Sequence, residues 1–337
     1  MKSISPKWKG WPVVLLSSAA GACLGILFRI ALSSRSHSDS AISAFWLVTI
    51  AFLVAVPIAM GYLSVDLYFR NTDNSEIQWY KWLFLPWGAV LIDILFVVLV
   101  HWEGAICILF ASPIMLAASL IGGLAARIVW WKIGKQSTGT LTAVAMPLLV
   151  LLVEIHIAAP WQVRTVETAI AIHAPADVIW TNIKSVHAIQ ASELSDSWIQ
   201  HVGFPRPIEA TLSHDGVGGV RQASFTGGLV FTETVNTWSP KTDLQFSIRA
   251  NTDSIPKSTL DDHVTIGGQY FDVLDGEYRI EKKADGVILH LVSHERLSTH
   301  LNPYAGFWTD AVMRTFQQQI LQVIRARCEA SARNQQG

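Results

Sequence analysis

The sequence predicts two fold classes in one chain: an α-helical membrane domain of about five transmembrane helices over residues 1–160, then an α+β domain over 165–332. In the second, a curved antiparallel sheet surrounds a long C-terminal helix. A disordered tail is expected at 333–337. Three observations predict this. Up to about Pro160 the chain is a series of long apolar runs separated by short polar loops. After about Arg164 apolar residues alternate at the period of strands and end in a stretch with helical spacing. The charge divides at the same place. Residues 1–165 hold 11 Lys+Arg against 7 Asp+Glu, a net +4, and residues 166–337 hold 14 against 19, a net −5.

Five runs approach the roughly 20 apolar residues a spanning helix needs. They are Trp11–Leu32, Ala44–Val65, Leu83–Val100, Gly104–Val129 and Leu141–Ala158. Only His101-Trp102-Glu103 separates the third from the fourth, which predicts a tight helical hairpin. Trp8, Trp11, Trp82, Trp102, Trp130, Trp131 and Trp161 lie near run ends, as an aromatic belt requires. Pro57 and Pro113 predict kinks. The first run follows Lys2, Lys7 and Lys9 and has A-A-G-A-C ending at Cys23, features of a cleaved signal. It continues past Cys23 through Leu24 to Phe28, so a retained span is favoured.

Lys2, Lys7, Lys9, Arg70, Lys81, Arg127, Lys132 and Lys135 fall on one side if all five runs span, against Arg29 and Arg35 on the other. The N-terminus is therefore expected in the cytoplasm of a bacterial inner membrane, with the C-terminal domain outside. Asp93 lies within the third run, and Glu154 and His156 near the end of the fifth. Ionisable groups in lipid are costly, which makes them candidate sites. The plainer expectation is that Asp93 hydrogen-bonds between helices while Glu154 and His156 reach the headgroups.

In the second half, 165–173 alternates as a strand, and 174–183 opens a helix with Pro175 and Asp177 in its first turn. A short helix is expected around 187–193. Strands follow at 208–213, 218–226, 229–238 and 243–250, joined by D-G-V-G, G-G and S-P-K-T turns. Residues 251–268 read as a loop. Two long strands, 270–283 and 286–297, form a hairpin about A-D-G, and a helix from about Pro303 to Ala332 carries Phe307, Met313, Phe316, Ile320, Val323 and Ile324 at helical spacing.

This order, with I-x-A-P-A-D-V-I-W at 172–180, resembles the helix-grip superfamily: SRPBCC domains, START lipid-transfer domains, Bet v 1-like proteins and polyketide cyclases/dehydrases. The resemblance covers about 166–330. The segments F-P-R-P-I-E-A-T-L-S-H-D-G-V-G-G-V-R and F-T-G-G-L-V-F-T-E-T-V-N-T-W-S-P look like a bacterial branch in which several spans precede the domain. The resemblance implies an apolar cavity between sheet and helix, used for sterols, lipids, hormones or polyketides.

Aromatic groups that suit such a cavity are Phe225, Phe231, Trp238, Phe246, Tyr270, Phe271, Tyr278 and Trp308, each of which packing alone can also explain. Alternation along 229–238 puts Phe231, Glu233, Val235 and Thr237 on one face and Trp238 on the other. The polar candidates are Arg221, Glu233, His263, Asp272, Glu277, His290, His294 and Arg296. An inward Arg221–Glu233 pair orients a carboxylate, phosphate or enolate, whereas an outward one is a solvated pair. His290, His294 and Arg296 share a face with Ile288 and Val292, which slightly favours the inward side; an inward trio suits acid–base work, an outward one is a wet strand face, and catalysis is the less favoured reading.

The favoured function is binding of a hydrophobic small molecule or lipid for transfer or sensing. The alternatives are a cyclase or dehydratase using Arg221, Glu233 or His294, and a tethered protein-interaction domain. No cofactor or metal is expected. Cys23, Cys107 and Cys328 form no disulfide framework or zinc spacing, and the acidic C-terminal half has no basic cluster for nucleic acid. A-A-P-W at 158–161 leaves little linker, which favours a lipophilic ligand.

Overall fold

The computed structural model of the chain describes residues 11–33, 49–72, 79–134, 139–251, 266–268 and 270–336. Lys2, Lys7, Lys9, Arg35, Lys135, Trp8 and the polar candidate His263 lie outside them, as does most of the 251–268 loop. The chain divides into two compact units, Met1–Ala159 and Pro160–Gly337.

The first unit is helical: α1 (Trp11–Ser33), α2 (Ala51–Asn71), α3 (Trp79–Leu99), α4 (Ala105–Ile133) and α5 (Gly139–Glu154). The first turn of α2, Ala51–Ala55, is a π-helix. Among the described residues three helical segments are long and apolar enough to cross a membrane: Pro12–Ala31, Ala51–Asn71 and Ala105–Ile133. The apolar stretches Leu83–Leu99 of α3 and Gly139–Glu154 of α5 are shorter, so among the described residues three of the five expected spans are long enough to cross and two fall short. α5 ends at Glu154, whose carboxylate accepts hydrogen bonds from the Ile50 and Ala51 N–H groups at 2.7 and 2.9 Å and caps the start of α2.

Contacts within this unit fix which helix ends lie together. Arg29 near the end of α1 pairs with Glu103 in the α3–α4 turn at 2.5 Å. With the Glu154 cap, this gathers the end of α1, the start of α2, the α3–α4 turn and the end of α5. At the opposite end Asp66 of α2 accepts from Arg70 at 2.6 Å and from Thr140 of α5 at 2.5 Å, and the Phe69 ring stacks on Trp130 of α4. α2 and α4 touch backbone to backbone. A Cβ on Gly61 would lie 1.9 Å from the Ser119 carbonyl oxygen, and one on Gly122 1.9 Å from that of Ile58. Small residues at such crossings let apolar helices approach closely.

The second unit runs β1 (Trp161–Ile172), α6 (Ala176–Lys184), a 3₁₀ turn (Ala191–Glu193), α7 (Trp198–His201), β2 (Pro207–Leu212), β3 (Val220–Phe225), β4 (Val230–Ser239), β5 (Asp243–Asn251), β6 (Phe271–Lys283), β7 (Gly286–Ser298) and α8 (Asn302–Gln336). The sheet is antiparallel in the order β1-β7-β6-β5-β4-β3-β2 and curls about α8, the helix-grip arrangement. Its core joins Leu244, Phe246, Tyr278, Leu289 and Leu291 of the sheet to Ile179 and Ile183 of α6 and Leu321, Ile324 and Cys328 of α8.

Five elements differ from expectation. α8 continues through Gln336, so most of the tail expected to be disordered is helical. The helix expected at 187–193 shrinks to one 3₁₀ turn, closed by a Gln190/Glu193 capping box, and α7 was not anticipated. β4 and β6 carry irregularities between Val235 and Thr237 and between Val273 and Asp275. Each shift resets which residues face inward beyond it.

Candidate functional site

β3 and β4 place Arg221 opposite Glu233 in the ladder. Both side chains turn to the concave face, where each is about 5% exposed, and Arg221 Nη1 donates to Glu233 Oε2. The Arg221 guanidinium lies 5.3 Å from the Phe246 ring centroid and 5.9 Å from that of Tyr278, a cation held against two π faces. Room for the Phe246 ring comes from Gly276 on the next strand, where a Cβ would lie 2.7 Å from it. Burial pushes the Glu233 carboxyl above its ordinary range, and the neighbouring guanidinium opposes it. Burial likewise raises the Tyr278 hydroxyl. For Arg221 burial works against the charge, but Glu233 and Tyr278 outweigh it and hold the guanidinium above its usual value. Burial thus biases both the Glu233 carboxyl and the Tyr278 hydroxyl toward their protonated forms.

Aromatic side chains line the same face. Phe225 meets Phe231 at 5.1 Å and Phe316 of α8 at 6.3 Å, and Phe204 reaches Phe316 at 6.0 Å. Trp238 packs on Trp180 of α6 at 5.0 Å. Strict alternation puts Trp238 opposite to Glu233; the β4 irregularity brings both inside. Tyr270 and Trp308 are half-buried and outside this core, Trp308 packing with Tyr304 and Phe307 near the start of α8. Phe271 is half-buried at the start of β6.

The inward placement expected for His290, His294 and Arg296 is corrected. Val287, Leu289 and Leu291 take the core face of β7, so the alternate positions turn outward. There His290 Nδ1 is 2.7 Å from Glu167, His294 Nδ1 is 2.6 Å from Asp275, and Arg296 Nη2 donates to the Gly268 carbonyl at 2.6 Å. Glu277 joins this outer network through Arg279 at 3.7 Å. Asp272 is half-buried beside Arg296, and burial raises its carboxyl. His294 is thus separated by the sheet from Arg221 and Glu233.

Sequence reasoning missed a second buried polar group on the concave face. Glu295 is fully buried and Ser293 nearly so, with Gln317 of α8 against them. Ser293 Oγ donates to Glu295 Oε1 at 2.8 Å, Gln317 Nε2 donates to Ser293 Oγ at 3.0 Å, and Thr168 Oγ1 donates to Gln317 Oε1 at 2.7 Å. The available signal was that Glu295 and Ser293 share the parity of Leu289 and Leu291 along β7.

In the helical unit Asp93 is 6% exposed and lies near Gly25 of α1, where a Cβ would come within 3.2 Å of its Oδ1. Glu154 does not reach outward as expected but is buried as the α2 cap. His156 is exposed, with Nδ1 2.8 Å from the Leu152 carbonyl oxygen. Among the described residues no three His, Cys, Asp or Glu side chains gather as a metal site.

No family model matches the sequence, and no curated protein is similar to it. Solved structures are similar at low identity. DynU16, a protein of the dynemicin biosynthetic locus, is 13% identical over 50% of this chain and 48% of its own, with a TM-score of 0.32. The di-domain ARO/CYC StfQ from the steffimycin biosynthetic pathway is 11% identical over 58% and 60%, with a TM-score of 0.31. The AHSA1-like protein from Aeromonas hydrophila is 14% identical over 50% and 94%, with a TM-score of 0.30. The chain thus spans about half the length of DynU16. On its own strand order and helix placement, the C-terminal unit is a helix-grip fold.

Proposed function

We propose that the C-terminal domain binds a hydrophobic small molecule or lipid between its sheet and α8, and that the N-terminal helices hold it at a bilayer. The observation that carries this reading is the Arg221–Glu233 pair, closed against Phe246 and Tyr278 within the apolar face. A buried ion pair gains little over packed apolar side chains because both charges lose their water. A guanidinium kept there nonetheless suits a ligand whose carboxylate, phosphate or enolate it orients, while the surrounding rings take the apolar body. Tethering to a membrane raises the effective concentration of lipophilic ligands.

Native mass spectrometry of the full chain, gently extracted, tests this. An apolar adduct is expected on the wild type and absent from the Arg221→Met/Glu233→Leu double variant. No adduct, together with unfolding unaffected by delipidation, would overturn the reading.

One observation favours a second reading, an acid–base enzyme of the cyclase or dehydratase type. Burial raises both the Glu233 carboxyl and the Tyr278 hydroxyl beside one guanidinium, which supplies proton donors in a dry interior. His294 has no part in it. Conversion of the released adduct to a species lacking one water would favour this reading over passive binding.

A further inference from the structure

We propose that ionisation of Glu295 draws Arg164 away from Asp310 and loosens the first turns of α8 from the sheet, so that Arg164 and Glu295 form a latch that opens as the pH rises. The inference stands whatever the interior holds, because it concerns only how α8 is tied down.

The geometry begins with register. Arg164 of β1 and Glu295 of β7 are direct cross-strand partners. Both act on the face that carries α8. Arg164 Nε donates to Asp310 Oδ1 at 2.8 Å and Nη2 to Oδ2 at 2.6 Å, a two-pronged strap from the sheet to the helix. The strap lies flat on α8 because residue 306 is glycine: a Cβ there would come within 2.7 Å of the Arg164 guanidinium carbon. One rung away, Gln317 makes the second tie, donating to the Val166 carbonyl and to Ser293 at 3.0 Å each.

Glu295 sits between these ties. Its Oε1 accepts from Ser293, and its buried Oε2 has no hydrogen-bond partner among the described residues. A neutral carboxyl tolerates that position, but a carboxylate does not, because a buried charge without a partner is costly. The charged groups acting on it are Arg164 of β1, Asp310 of α8 and Asp275 of β6. Burial is the main cause that pushes the carboxyl up to about 7; the Ser293 hydrogen bond opposes this, Asp310 and Asp275 add to it, and Arg164 lowers it. Ionisation therefore falls near neutrality, and among the described residues the cation acting on Glu295 is the guanidinium that now holds Asp310. Moving it to Glu295 satisfies the new charge and releases α8.

Hydrogen exchange on the full chain in detergent, from about pH 6 to about pH 8 and corrected for the chemical exchange rate, reads this motion. In the wild type the amides of 302–317 should lose about tenfold protection across that range, while the distal part of α8 changes little. Glu295→Gln should abolish the pH dependence. Ser293→Ala, which removes the donor favouring the ionised form, should move the midpoint to higher pH, and it remains informative if Glu295→Gln does not fold. Asp310→Asn should lower protection at the low-pH end to about the level that the wild type reaches at the high-pH end. A Glu295→Gln profile matching wild type, an unmoved Ser293→Ala midpoint, or full low-pH protection in Asp310→Asn would each overturn the proposal.

Discussion

Arg221 and Glu233 meet across β3 and β4 inside the domain, with the guanidinium 5.3 Å from the Phe246 ring centroid. The two positions respond unequally to substitution. Glu233→Leu strands a buried guanidinium that cannot shed its proton, which costs about 3–5 kcal/mol. Arg221→Met leaves a carboxyl that burial already favours in its neutral form, so the loss is smaller. The double variant recovers most of the stability. Denaturant midpoints of the full chain in detergent check the order; a double variant less stable than Glu233→Leu would contradict it.

How far the sequence speaks for this site follows from backbone regularity. Arg221 and Glu233 lie on uninterrupted stretches of β3 and β4, so the hairpin turn and alternation suffice to pair them. Trp238 lies beyond an irregularity, and no period of two survives an inserted residue. The outward face of β7 misleads for a different reason: Ile288 and Val292 are apolar, yet Val287, Leu289 and Leu291 compete for the same core and win it. Glu295 stays hidden because a charged residue in sequence reads as solvent-facing, which outweighs its shared parity with Leu289 and Leu291, although it is fully buried. In the helical unit apolar length finds each of the described helices, but not that Glu154 folds back as a cap.

Glu295 also makes a prediction for stability against pH. Its carboxyl rises from an ordinary 4.5 to about 7 in the folded state. Between those values the native state holds a proton that the unfolded state has lost, so stability falls as pH rises through that window. The loss contributed by this group is on the order of 3 kcal/mol. Glu295→Gln should therefore gain on wild type as the pH rises from about 4.5 to about 7 and hold that gain above it. Thermal melting of both proteins across the window checks the sign; a gain confined to acid pH would contradict it.

Close helix crossing makes Gly122 intolerant. A Cβ there meets the Ile58 carbonyl oxygen and the Tyr62 backbone nitrogen rather than the tip of a side chain. Gly122→Val forces α2 and α4 apart and costs more than about 3 kcal/mol, beyond ordinary overpacking. Gly88→Ala is the control, since its new methyl meets only the Ser18 side chain. Melting in detergent should show a large drop for the first substitution and a small one for the second.

Sidedness gives the last prediction. The α3–α4 turn and the ends of α1 and α5 gather at one end of the helical unit, and Arg29 there is paired with Glu103. The other end receives Arg127 and Lys132 from α4 and Arg70 from α2. Lys and Arg favour the cytoplasmic side. The end of α5, from which the C-terminal domain departs, should therefore lie outside the cytoplasm. A reporter fused after Gly337 and active only outside the cytoplasm should give signal, and a cytoplasm-only reporter at the same position should be silent. The reverse pattern would mean that one of the two helices with a short apolar stretch, α3 or α5, does not cross, because removing a single crossing reverses the side on which the domain emerges.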